Sequence, residues 1–230
     1  MFNRTFNYHL NDKQLHILAL LEKKPYQQKD LAMAIGISGA GLLYNLNKLE
    51  EADLITKKTL ATVGNVSLNE IAIHPNAIQR VRSLLGISKD HYTLITGFGL
   101  DSPTFGPSYE IPLKSKALLQ KEGYVISRIV AFVTPKSNLK DAKKFETFDV
   151  VHEYPYLEYR NDDSSIFQNL ESLIQSEQKD SNVILDLTPL TKLLTIRLLE
   201  ISVKYKIPSF YLGKTRGDED FLLWVFNSKK

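Results

Sequence analysis

A chain of 230 residues, 43% hydrophobic and 24% charged, has material for one large domain or two ordinary ones. It contains no run of about 18 apolar residues, which argues against a membrane-spanning helix, and no cysteine, which excludes disulfides and thiolate metal sites. The net charge of +3 is small, but residues 1–86 hold 10 Lys/Arg against 7 Asp/Glu while the remainder holds 19 of each. The positive excess therefore lies in the N-terminal part, where it permits a polyanionic partner. Met1-Phe2-Asn3-Arg4 starts neither an apolar run nor a small-residue cleavage site, so a cytoplasmic location is expected.

The first helix is predicted from the cap residue Asn11 to Lys23, burying Leu15, Leu18 and Leu21 with help from Ile17, and Pro25 ends it. A short helix follows from Gln28 to Ile35. Gly36 then makes a turn, and Ser38 caps a third helix reaching Glu51. Leu42, Leu46 and Leu49 share one face of that helix, and a rotation of about 100° per residue puts Gly41, Tyr44, Lys48 and Glu51 on the other. Leu54 to Ile73 holds two strand-like runs joined at Val63-Gly64-Asn65, with Lys57 and Lys58 on the first arm.

The order helix, helix, Gly turn, helix, hairpin resembles the winged helix-turn-helix family. Gly36 to Ile55 is similar to that family's turn, recognition helix and approach to the wing. Asp53 stands where the family usually has Gly, and Asp tolerates left-handed backbone. The resemblance implies double-stranded DNA as a partner, with Ser38, Gly41, Tyr44, Asn45, Lys48, Lys57 and Lys58 at the interface. The plainer reading of Tyr44, Asn45 and Lys48 is a solvated helix face. The third helix carries no Arg, so affinity leans on Lys48, Lys57 and Lys58, on Lys29 and on backbone amides at the helix N-terminus, and a homodimer would strengthen the grip. Pro75 to Leu85 reads as one more helix closed by Gly86, serving as connector, dimer contact or both.

Beyond Gly86 apolar strands alternate with helices, the pattern of a mainly parallel sheet. Strands are predicted at Tyr92–Thr96, Ile126–Thr134, Phe148–Tyr154, Asn182–Leu187, Pro208–Leu212 and Phe221–Asn227. Helices are predicted around Pro112–Lys121, Leu139–Phe145, Ser165–Gln178 and Leu190–Tyr205, and the last two strands form an edge hairpin. The fold expected is thus an α+β winged helix-turn-helix over residues 1–75, a connecting helix over 76–90, and an α/β Rossmann-like domain over 91–230.

Two loops of the second domain carry chemistry. After the first strand, Gly97, Gly99 and Gly106 allow close backbone approach, and Ser102, Thr104 and Ser108 offer hydroxyls. The spacing is not GxGxxG at a helix opening and no acidic residue ends the second strand, which disfavours a nicotinamide cofactor. After the fourth strand, Asp186-Leu187-Thr188 leads into Thr191-Lys192 at a helix opening, where hydroxyls and a lysine suit a phosphate or ribose.

The segment DLTPLTK resembles the motif of CARF domains, the Rossmann-like sensors of CRISPR-linked proteins. Asp186, Leu187, Thr188, Thr191 and Lys192 match it position by position, while Pro189 and Leu190 replace its glycine pair. Gly97-Phe98-Gly99 is similar to that family's first ligand loop. The resemblance implies a homodimer that binds a cyclic oligoadenylate, in most cases the tetra-adenylate, across its two-fold axis. It assigns ligand contacts to Gly97, Phe98, Gly99, Ser102, Thr104, Thr188, Thr191 and Lys192, and CARF domains joined to winged helices resemble ligand-responsive transcription regulators of CRISPR immunity.

Other readings stand beside this one. Thr188 and Thr191 serve equally as helix caps, with Lys192 a solvated lysine. Some CARF domains act as ring nucleases, cleaving their ligand with the ribose 2′-hydroxyl; Lys192 would then stabilise the transition state, with the winged helix mainly a dimerising module. A third alternative is a regulator that senses another small metabolite. No resident cofactor or metal is expected: His9, His16, His74, His91 and His152 lack paired ligand spacing, and no Walker or G-x-S-x-G motif occurs.

Overall fold

The structure, a computed structural model, describes residues 10–63, 66–87, 91–98, 103–133, 147–153 and 163–226. The chain divides into two compact units, residues 1–88 and 89–230. No helix among the described residues is long and apolar enough to cross a membrane.

In the first unit α1 (Asp12–Lys23) opens on a capping box. Asn11 Oδ1 accepts from the Gln14 amide at 2.9 Å, and Gln14 Oε1 accepts from the Asn11 amide at 3.0 Å. This reciprocal cap buries Gln14 and leaves Leu15 only half-buried; Ile17, Leu18 and Leu21 form the inner face instead. A two-residue strand β1 (Tyr26–Gln27), not anticipated from the sequence, precedes α2 (Gln28–Ile35). Gly36 closes α2 in the left-handed region at φ 72°, donating to the Ala32 and Met33 carbonyls.

Ser38 caps α3 (Gly39–Glu51), whose Leu42, Leu46 and Leu49 are fully buried. Asp53 takes φ 55°, the left-handed turn expected of the residue before the wing. β2 (Ile55–Val63) and β3 (Val66–Ile73) pair antiparallel, and β1 adds to β3 to give the sheet order β1-β3-β2. The turn residues Gly64 and Asn65 lie outside the described residues. A 3₁₀ turn (Pro75–Ala77) leads into α4 (Ile78–Leu84). Ala77 and Val81 belong to the same core as α1 and α3, and Arg82 pairs with Glu22 at 3.0 Å, so α4 is built into the first unit.

The second unit is an α/β domain. Its strands are β4 (His91–Phe98), β5 (Val125–Val133), β6 (Val150–Glu153), β7 (Asn182–Asp186), β8 (Ser209–Lys214) and β9 (Asp220–Phe226). They form one sheet in the order β6-β5-β4-β7-β8-β9, parallel except for the β8–β9 hairpin. Renumbered within the unit this is 3-2-1-4-5-6, the Rossmann order. The helices α6 (Asp163–Asp180) and α7 (Lys192–Tyr205) cover one face through Leu170, Ile174, Leu194, Leu198 and Ile201. On the other face α5 (Ile111–Lys121) contributes Leu119 to a core that includes Phe98, Tyr124, Phe148 and Phe210. The helix expected at Leu139–Phe145 lies outside the described residues.

Candidate functional site

The recognition surface is set by how α3 is held. Ser38 Oγ accepts from the Gly41 amide at 3.2 Å, so both residues are engaged in the cap, and Gly41 is only half-exposed. Tyr44, 62% exposed, projects outward as expected. Asn45 does not: it is 5% exposed, donates to the Gly41 carbonyl at 2.8 Å and accepts from Asn11 Nδ2 at 3.3 Å. Its amide is thus a buried tie between α3 and α1 rather than a DNA-facing group, because leaving either hydrogen bond unmade inside the core would be costly. With Asn45 inward, the outer face turns toward Leu43 and Asn47, away from Gly41.

The cations are partly committed. Lys48 Nζ sits 2.8 Å from Glu51 on an exposed flank, a pair that solvent screens and that a phosphate can displace. Lys57 is more firmly held: its ammonium meets the Glu50 carboxylate and donates to Asn47 Oδ1 at 2.8 Å. That cross-link braces the wing against the end of α3. Lys58 and Lys29 are exposed.

In the second unit the crossovers diverge between β4 and β7, which pair through Ile95 and Leu185. The loops after these two strands therefore leave the sheet side by side, where ligands of such folds sit. Asp186, fully buried at the end of β7, is the hub of this region. Its Oδ2 accepts from Ser115 Oγ at 2.8 Å and Thr96 Oγ1 at 3.3 Å, and its Oδ1 accepts from the Thr188 amide at 2.9 Å. Burial pushes the Asp186 carboxyl up, and hydrogen bonds from Thr188, Ser115 and Thr96 oppose the rise. The sequence motif includes this aspartate but does not reveal that Thr96 and Ser115, from β4 and α5, converge on it.

The expected ligand residues divide. Thr188 Oγ1 accepts from the Leu212 amide at 2.7 Å, so this side chain stitches the turn to β8. Thr191 caps α7, accepting from the Leu194 amide at 3.5 Å, and is exposed beside the exposed Lys192. Thr104 is also exposed. Phe98 departs from expectation. It is 3% exposed and packs on Phe148 with ring centroids 5.7 Å apart, which makes it a core residue. Gly97 is buried, and its bare Cα face is already occupied: a Cβ there would collide with Leu190 Cδ2 and lie 3.0 Å from the Pro189 carbonyl. The close approach that glycine permits is thus used by the chain's own turn, at the residues that replace the glycine pair. Gly99 and Ser102 lie outside the described residues. Among the described residues no group of three His, Asp or Glu side chains is placed to hold a metal ion.

Residues 10–56 match the family described as winged helix-turn-helix DNA-binding. Among solved structures, the zinc-responsive MarR family member ZitR of Lactococcus lactis is 22% identical over 37% of this chain and 58% of that one, with a TM-score of 0.31. The adhesin competence repressor AdcR of Streptococcus pyogenes is 22% identical over 35% and 57%, at 0.30. MepR of S. aureus, in its DNA complex, is 23% identical over 34% and 64%, also at 0.30. This chain spans less than two thirds of each of these proteins, and values this low transfer no activity to it. Among curated proteins, no sequence matches the chain. The N-terminal unit carries a winged helix-turn-helix of the DNA-binding kind, and the unit that follows it is an α/β domain of Rossmann strand order.

Proposed function

We propose that this protein is a ligand-responsive transcription regulator: a winged helix that binds double-stranded DNA, joined to a CARF-type sensor of cyclic oligoadenylate, working as a homodimer. The observation that carries the reading is the match of residues 10–56 to a DNA-binding winged helix on the same chain as a Rossmann-ordered sheet. The sensor half draws its support from the adjacent exits of β4 and β7 and from exposed Thr191 and Lys192 at the opening of α7. A helix N-terminus with a hydroxyl and an ammonium is a setting that favours phosphate. Thr104 is the exposed hydroxyl from the other loop. In this reading Thr188 and Gly97 hold the turn in place, and Lys192 supplies the charge.

Calorimetric titration with cyclic tetra-adenylate and cyclic hexa-adenylate tests the sensor half. Saturable heat with one of them, weakened about tenfold or more by Lys192→Ala, is the expected result. Two flat titrations would remove the cyclic nucleotide from the reading, and an unaltered affinity in the variant would move the ligand away from α7. The regulator half is tested separately, by the binding of labelled duplex at low salt and its loss as salt rises.

A further inference from the structure

The outward face of α3 presents apolar groups where a base-reading helix usually presents polar ones. Leu43 is 45% exposed and Tyr44 62% exposed, and Ala40 is exposed one turn before Tyr44. These three lie at i, i+3 and i+4 in the N-terminal half of the helix, the part that meets base edges in helix-turn-helix complexes. The flanking polar side chains have partners within the unit. Asn47 Oδ1 accepts from Lys57, Lys48 pairs with Glu51, and Asn45 points into the core.

Paired hydrogen bonds to a base edge need Arg or Lys for guanine, or the joint acceptor and donor of Asn or Gln for adenine. α3 contains no Arg or Gln, its one Lys, Lys48, lies in the last turn rather than in the N-terminal half, and Asn47 has its acceptor engaged by the wing. The one apolar group on a major-groove edge is the thymine 5-methyl. An exposed leucine beside an alanine methyl and an aromatic ring is complementary to that group.

We infer that α3 selects DNA through thymine methyls, with Leu43 as the specificity-determining residue and Ala40 and Tyr44 completing the apolar contact. This rests on the DNA-binding reading above. It makes the preferred target rich in A·T pairs at the base steps under the N-terminal half of α3, with affinity supplied by phosphate contacts from lysines and backbone amides.

The test uses the full chain and random duplex selected over several rounds. Replacing each thymine of the selected duplex in turn by deoxyuridine, which lacks only the methyl, is expected to weaken binding about fourfold at one or two positions per half-site, the factor that burial of one methyl gives. In Leu43→Ala, whose substituted side chain lies outside the core, the same replacements are expected to change affinity less than about twofold. Circular dichroism checks that the variant retains the fold. Selection of G·C-rich sites, or equal affinity for thymine and deoxyuridine duplexes at every position, would overturn the inference and leave DNA binding intact. Absence of any duplex binding at low salt would instead remove the reading beneath it and point to a protein partner for this face.

Discussion

Asp186 holds its carboxylate in a fully buried position with three hydrogen bonds to it, yet burial still raises its pKa above the ordinary value of about 4. The fold therefore binds this proton more tightly than the unfolded chain does. Its contribution to stability is fully present below about pH 4 and is lost as pH rises through the folded value. Asp186→Asn removes the titration while keeping the contacts: its oxygen accepts from the Thr188 amide and its NH₂ donates to the Ser115 and Thr96 hydroxyls, which can rotate. Thermal unfolding across a pH series is expected to show the variant gaining on the parent as pH rises from about 4, and a difference constant with pH would refute this account. Gly97 makes a second argument at this scale. Gly97→Ala forces a Cβ into Leu190 and the Pro189 carbonyl and is expected to destabilise by about 1–3 kcal/mol. Leu190→Gly made in the same chain is expected to recover part of that loss, and strictly additive effects in the double-mutant cycle would show that the two residues do not press on each other.

The helix α4 shows how an element's packing depends on contacts far along the chain. Its sequence reads as a linker, amphipathic and set between two domains. In the structure Arg82 is buried and paired with Glu22 of α1, a residue 60 positions earlier. Glu22→Ala removes one partner of that buried guanidinium and is expected to destabilise the first unit by about 1–3 kcal/mol. Hydrogen exchange reads it: amides of α4 and α1 lose protection together, and protection of α4 unchanged from the parent would mean the pair holds nothing. The same contrast explains what the sequence could and could not disclose. Helical periodicity and turn residues located α2, the cap at Ser38 and the sheet strands to within a few residues, because these depend on neighbours in the chain, and the family resemblance pointed to the left-handed Asp53. The strand β1 escaped because its two residues pair with Ile71 and Glu70, far along the chain. Asn45 was placed at the interface by the family resemblance, although its spacing from Leu42 and Leu49 puts it on their face, where the Gly41 carbonyl and Asn11 hold it. At the second site the motif residues were visible, but not that Leu190 fills the space over Gly97 or that Phe98 belongs to the core, since both follow from which strand lies beside which.

For the whole molecule the joint presence of a winged-helix unit and a Rossmann-ordered unit makes, on the proposed function, a thermodynamic demand that does not depend on how the units are arranged. If occupation of the second unit changes DNA affinity by some factor, DNA must change ligand affinity by the same factor, because both measure one coupling free energy. A regulator requires that factor to differ from one, and coupling of useful size lies at about fivefold or more. Two independent titrations test this on the full chain. Anisotropy of a labelled duplex, with and without saturating cyclic tetra-adenylate, gives the factor from the DNA side. Calorimetry of the nucleotide, with and without saturating duplex, gives it from the ligand side. Equal factors of about fivefold or more are expected, in the same direction. A ligand that binds tightly yet leaves DNA affinity unchanged would make the two units independent binding modules on one chain. The regulatory reading would then fail even though each half bound its partner, since a ligand with equal affinity for both states of the first unit cannot shift them however tightly it is held.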